Sequence, residues 1–99
     1  MKYEIKSTNH FDRWFLKLKG SLAKVRVLSR LSRVENGNFG DFKQIGPSLF
    51  ELRFVFGAGF RIYYTIQNDI VVFLLVGGDK SSQKKDIAKA IELLAKLEE

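Results

Sequence analysis

Five side chains in this sequence are of the types that handle a phosphodiester: Glu51, Arg53, Arg61, Tyr63 and Lys80. Arginine and lysine neutralise a phosphate and the charge that develops on it during transfer, and a tyrosine or a glutamate can move a proton. Their spacing brings them together. Glu51 and Arg53 are two residues apart, as are Arg61 and Tyr63. Residues two apart on a strand share a face. Gly57-Ala58-Gly59 lies between the two pairs and has the composition of a hairpin loop.

If Phe56 and Phe60 close a three-residue loop, Val55 faces Arg61, Arg53 faces Tyr63 and Glu51 faces Thr65. Directly opposed residues project to the same side, so Glu51, Arg53, Arg61 and Tyr63 cluster on one sheet face. A further turn at Asn68-Asp69 returns Val76 beside Phe60 and lands Lys80 at the Arg61 end. The same set also describes an ordinary charged face of a half-exposed sheet, and the residues alone favour that plainer account.

The elements that must position these groups follow from hydrophobic periodicity. Tyr3 and Ile5 alternate with charged residues, as in a short strand. Phe11, Trp14, Phe15 and Leu18 fall on one helical face, with Thr8 or Asn9 able to cap the start and Gly20 the end. Ser21 can cap a second helix whose buried side carries Leu22, Val25, Val27, Leu28, Leu31 and Val34, and Asn36-Gly37-Asn38 stops it. Two helices joined so tightly form an antiparallel hairpin. Phe50, Leu52, Phe54 and Phe56 then alternate along a strand, and the returning strand runs from Phe60 to Ile66. Ile70 to Val76 is apolar on both faces and reads as a central buried strand ended by Gly77-Gly78-Asp79. A last helix from about Ser82 bears Ile87, Ala90, Ile91, Leu94 and Leu97, and a further short strand fits Phe42 to Ile45. The expectation is an α+β fold: an antiparallel sheet of about four strands, an N-terminal helical hairpin and a C-terminal helix. Residues 1–99 are expected to form one domain.

Composition narrows the classes of function. Of the residues 45% are hydrophobic and nine are Phe, enough for a packed core rather than a disordered chain. With no Cys and one His, disulfides, thiolate metal sites and His-rich metal sites are excluded, and no cofactor is implied. Met1 to Asn9 is too charged for a signal peptide, and the apolar run Ile70 to Val76 is too short to span a bilayer, so a soluble cytoplasmic protein is expected. The net charge is +6; residues 1–34 carry nine Lys and Arg against Glu4 and Asp12, and the remainder sums to −1. So basic a half suits an anionic partner, or simply a well-solvated surface.

Arg26, Arg30 and Arg33 form a basic stripe on the second helix, with Lys19 and Lys24 nearby. Such a stripe can grip RNA phosphates, and it equally suits a solvated helix face. Trp14 shares its stripe with core aromatics, which favours a core role over base stacking. His10, alone at a helix start, reads as structural. Gly77-Gly78 before a helix could cradle a phosphate, without Walker spacing, or could simply allow a sharp turn.

Taken in order, Phe50-Glu51-Leu52-Arg53, Gly57-Ala58-Gly59-Phe60-Arg61-Ile62-Tyr63-Tyr64, Val76-Gly77-Gly78-Asp79-Lys80-Ser81-Ser82-Gln83 and Asp86-Ile87-Ala88 resemble the HigB-like addiction-module killer proteins of the RelE/ParE toxin superfamily. The turn Asn36 to Asp41 and the Phe11…Trp14-Phe15 helix match as well, so the resemblance covers essentially the whole chain. It implies the RelE-like fold and the toxin of a type II toxin–antitoxin system, cleaving mRNA in the ribosomal A site without a metal. There the 2′-hydroxyl attacks the adjacent phosphate, and basic side chains stabilise the transition state. On that resemblance Arg61 matches the phosphate-contacting arginine, Glu51 and Arg53 stand where well-known members carry two lysines, and Lys80 stands near a further arginine. No Tyr or His occurs in residues 80–99, where several RelE-like enzymes keep an acid–base residue, which leaves Tyr63, Tyr64 or Glu51 to substitute, or a different catalytic set. The implied partners are the ribosome with mRNA, a cognate helix-turn-helix antitoxin of the HigA type, and DNA only through that complex; no membrane is implied. The superfamily also contains ParE-like inhibitors of DNA gyrase that cleave nothing, and an inactive member would only bind its antitoxin.

Overall fold

The computed structural model describes residues 2–98. In chain order the elements are β1 (Glu4–Ser7), α1 (Asn9–Leu16), α2 (Ser21–Glu35), β2 (Phe42–Gly46), β3 (Leu49–Arg53), β4 (Arg61–Gln67), β5 (Val71–Gly78), a short 3-10 turn (Lys80–Ser82) and α3 (Gln83–Leu97). The strands form one sheet in the order β1-β5-β4-β3-β2. The fold is α+β, with five strands rather than about four. The sheet is antiparallel except at one edge, where β1 runs parallel to β5. That parallel pair arises because β1 leads into the helices instead of a tight hairpin, and a parallel neighbour needs such a crossover.

Helices cover both faces of the sheet. Phe11 of α1 and Val27 and Val34 of α2 bury themselves with Leu52, Ile62, Tyr64 and Leu74 on one face. On the other, Ala90 of α3 packs with Leu49, Tyr63, Leu75 and Val76, joined by Ile87, Leu94 and Leu97. β5 is buried on both faces, as its unbroken apolar run requires. Thr8 caps α1, its side chain accepting from the Phe11 N–H at 3.0 Å. Among the described residues no helix is long and apolar enough to cross a membrane.

Three expectations from periodicity change. First, Leu22, Val25 and Leu28 are not on the buried side of α2; they are 63%, 58% and 55% exposed. The helix is rotated so that Val27, Arg30 and Val34 face inward. Arg30 can occupy an inward position because backbone carbonyls satisfy its guanidinium. Likewise Ile91 is exposed, and Leu93 packs in the α3 stripe instead.

Second, the β3–β4 loop is longer than three residues. β3 ends at Arg53 and β4 starts at Arg61, with Arg53 opposite Arg61, Leu52 opposite Ile62 and Glu51 opposite Tyr63. The Phe54 N–H bonds the Phe60 carbonyl, and the Gly59 N–H bonds that of Phe56. Phe56 packs edge-on against both Phe54 and Phe60, so aromatic contacts hold the wide loop together. The slip is two residues, which leaves every side chain on its expected face.

Third, Gly77 and Gly78 are inside β5 rather than beyond it. A Cβ at Gly77 would collide with the Trp14 ring, and one at Gly78 with the Asp86 carboxylate. The glycines let α1 and α3 close on the strand.

Candidate functional site

The ends of β3 and β4, the loop between them and the start of the 3-10 turn form a shallow groove. Arg53, Arg61, Lys80 and Asp41 line it, with the loop backbone from Gly57 to Gly59 as its wall. Arg53 is half-exposed and pairs with Asp41 at 3.0 Å. Lys80 is exposed; its alkyl stem rests against Gly59, which has a φ of +74° and no side chain to obstruct it. Arg61 is recessed, its side chain 11% exposed. Its Nη1 donates to the carbonyls of Gly59 at 3.1 Å and Phe60 at 3.2 Å.

A second recess adjoins the first and shares Asp41, Arg53, Phe54 and Val55 with it. Arg26 and Arg33 of α2 line its far side. The Arg26 guanidinium lies 4.8 Å above the Phe56 ring. The result is a band of cations from Arg33 and Arg26 through Arg53 to Arg61 and Lys80, with Asp41 the only carboxylate lining it among the described residues.

Not every candidate lies on this band. Glu51 is 2% exposed, and Tyr63 is fully buried beneath α3. The expectation that both stand on the open patch is therefore corrected: they share its sheet face, but α3 covers their half of it. Burial, with Glu51 close by, pushes the Tyr63 hydroxyl far above the usual tyrosine range, so it stays neutral. Tyr64 is on the opposite face, in the core beneath the helices, and burial raises its pKa as well.

Arg30 is buried too, so the stripe Arg26–Arg30–Arg33 is not one solvated surface. Its guanidinium donates to the carbonyls of Phe39 at 2.9 Å, Asp41 at 2.7 Å and Arg53 at 2.8 Å, and it stacks over Phe54. Burial first, and Arg33 next, lower its pKa. Arg30 thus fastens α2 to the two backbone segments that present Asp41 and Arg53. Lys19 and Lys24 line neither recess. His10 borders a different hollow, where the cations Arg13, Lys17 and Lys85 are offset by Asp79 and Asp86. Burial, then Lys89 and Arg13, lower the His10 pKa.

Two participants have no role in the sequence reading. Asp41 stands in the Asn36–Asp41 turn, and Gln83 ends the Gly77–Gln83 motif. Gln83 donates to Glu51 Oε2 at 2.7 Å. Both stood within recognisable motifs, but only the folded backbone sets them beside their partners.

Comparison with known proteins gives the family and the fold. The model of the phage-derived Gp49-like proteins (DUF891) matches residues 13–96. The chain belongs to the Gp49-like family. A Haemophilus influenzae protein of uncharacterised function is 48% identical to this Gp49-like chain over 95 residues, covering 96% of this chain and 95% of that one. Among solved structures, a doubly substituted Escherichia coli RelE toxin in the free state superposes with a TM-score of 0.72 at 19% identity, covering 93% of this chain and 97% of that one. The RelE–RelB complex of Pyrococcus horikoshii matches with a TM-score of 0.62 at 17% identity, covering 81% and 97%. The E. coli RelBE toxin–antitoxin complex matches with a TM-score of 0.63 at 22% identity, covering 78% and 95%. The fold is that of the RelE toxins.

Proposed function

We propose that this Gp49-like protein is the toxin of a type II toxin–antitoxin pair and a ribosome-dependent, metal-independent mRNA endoribonuclease. The observation that carries the reading is the convergence of Arg53, Arg61 and Lys80 on one groove that continues onto Arg26 and Arg33. Several fixed cations along a shallow band suit a polyanion rather than a small apolar ligand.

In the proposed reaction the ribose 2′-hydroxyl gives its proton to water, its oxygen attacks the adjacent phosphorus, and the 5′-oxygen leaves and takes a proton from water, giving a 2′,3′-cyclic phosphate and a 5′-hydroxyl. Arg61 and Lys80 neutralise the charge on the non-bridging oxygens as the pentacoordinate state forms, which is electrostatic stabilisation of the developing charge. Arg53, held by Asp41, orients the backbone at the neighbouring phosphate. Glu51 and Tyr63 are too deeply covered to exchange protons with the ribose, and Asp41 is the carboxylate nearest to hand. Arg26 and Arg33 grip RNA outside the scissile step.

The partner is an antitoxin, of the HigA-like helix-turn-helix kind, with DNA reached only through that complex. The outward face of α2 supports such a partner. Leu22, Val25 and Leu28 stand there with Ser21, Ser29 and Ser32, and no charge lies among them. Lys24 and Glu35 flank this face on one side and Arg26 and Arg33 on the other, so an apolar helix with an acidic edge toward Arg26 and Arg33 complements it. A second copy of this chain would set like charges against each other.

Toeprinting on translating ribosomes with purified protein tests the activity. Cuts inside A-site codons support it. Intact mRNA together with stalled DNA gyrase would assign the chain to the ParE-like inhibitors instead.

A further inference from the structure

Under the start of α3 three polar side chains are buried together with incomplete hydrogen bonding. Glu51 and Tyr63 are cross-strand partners, and Arg61 precedes Tyr63 by two residues on the same face of β4. Gln83 holds one carboxylate oxygen of Glu51. The other, Oε1, lies 3.9 Å from Arg61 Nε. That is about 1 Å too long for a charge-assisted hydrogen bond. Arg61 Nε and the Tyr63 hydroxyl are both fully buried; Arg61 Nε has no hydrogen-bond partner, and the Tyr63 hydroxyl lies beside Glu51 without a well-formed bond. A buried donor left unmade costs more than a made bond contributes, so two such donors beside one carboxylate call for an explanation.

The chemistry of the guanidinium identifies that state. Its donors form a rigid fork: Nε–H can be held by a carboxylate while the Nη groups face a phosphate. Here Nη1 is instead spent on the carbonyls of Gly59 and Phe60. A carboxylate so close to an anion site repels the anion, so its presence calls for a compensating role.

We propose that Glu51 is the positioning residue for Arg61. When a phosphodiester enters the groove, the guanidinium leaves the Gly59 and Phe60 carbonyls, seats its Nε–H on Glu51 Oε1 and presents Nη to the phosphate. Gln83 keeps the carboxylate in place for this exchange. The inference rests on the reading of the groove as an RNA site and adds how its central cation is aimed.

The test uses a 2′-O-methyl RNA tetranucleotide, which cannot be cleaved by its own 2′-oxygen, and the arginine Nε–H signals in NMR spectra of the whole protein. In the unsubstituted protein the Arg61 Nε–H signal moves downfield and exchanges more slowly as the RNA is added. Glu51→Gln keeps the size of the side chain and an acceptor for Gln83 but loses the charge. It should bind the RNA about tenfold more weakly, the effect of losing one charge-assisted hydrogen bond, with the Arg61 signal unmoved. Simple repulsion predicts the reverse, so equal or tighter binding by a folded Glu51→Gln protein overturns the proposal. If that variant does not fold, the unsubstituted protein decides: RNA that shifts Arg53 but leaves Arg61 Nε–H unmoved refutes the positioning role and spares the RNA groove. RNA that shifts none of the groove signals overturns the proposal that a phosphodiester re-aims Arg61 in the isolated protein, and toeprinting on ribosomes decides the proposed function separately.

Discussion

Arg53 and Arg61 stand directly opposite each other on neighbouring antiparallel strands. Like charges in that relationship destabilise a sheet. The structure separates their surroundings: Arg53 turns to Asp41 at 3.0 Å, while Arg61 folds against its own loop with Glu51 nearby. Two cations kept together at such a cost fit a site that needs concentrated positive charge.

Arg61→Ala should abolish growth inhibition while the protein stays folded. Losing a cation at the scissile phosphate removes about 2–4 kcal/mol of transition-state stabilisation, by analogy with loss of an oxyanion-hole donor. Arg53→Ala and Lys80→Ala should weaken activity less. Single-turnover cleavage on ribosomes, with circular dichroism as the folding control, measures this; full toxicity of a folded Arg61→Ala protein refutes the assignment.

The three arginines of α2 should separate into two kinds. Arg30→Gln strips the carbonyls of Phe39, Asp41 and Arg53 of their donor and should cost about 1–3 kcal/mol of stability, read from urea unfolding. Arg26→Gln with Arg33→Gln should leave stability unchanged, weaken ribosome binding and flatten its salt dependence. Equal unfolding midpoints for the Arg30→Gln protein and the Arg26→Gln, Arg33→Gln protein would contradict the placement of Arg30.

Changing Leu22, Val25 and Leu28 together to Ser should alter stability by no more than about 0.5 kcal/mol each, because they are surface residues. Toxicity should persist, and co-expressed antitoxin should no longer neutralise it. Retained neutralisation would move the docking surface off α2.

Gly78→Ala should destabilise the fold by about 1–3 kcal/mol or more, since its new methyl group meets the Asp86 carboxylate held by Ser82. Pairing it with Asp86→Ala should recover part of the loss. Thermal unfolding of the single and double variants decides, and strictly additive effects would show that the two positions do not touch.

The sequence by itself determined the elements and the faces of the strands. The alternation through Phe50–Arg53 and Arg61–Ile66, the doubly apolar run before Gly77 and the α1 stripe specify strands and helices because burial imposes its own period. A slip of two residues left the sheet faces intact, so Arg53 and Arg61 could be grouped without knowing the loop. Tertiary structure decided what lies above each face and which of several apolar stripes turns inward. α2 is apolar on two sides, and Arg30 takes an inward place only because carbonyls from Phe39, Asp41 and Arg53 converge on it from 9 to 23 residues away. Glu51 and Tyr63 read as surface groups until α3, folded back from the far end of the chain, covers them. Spacing along a chain records periodicity; whether a polar group is wet or buried depends on contacts between segments that the sequence keeps apart.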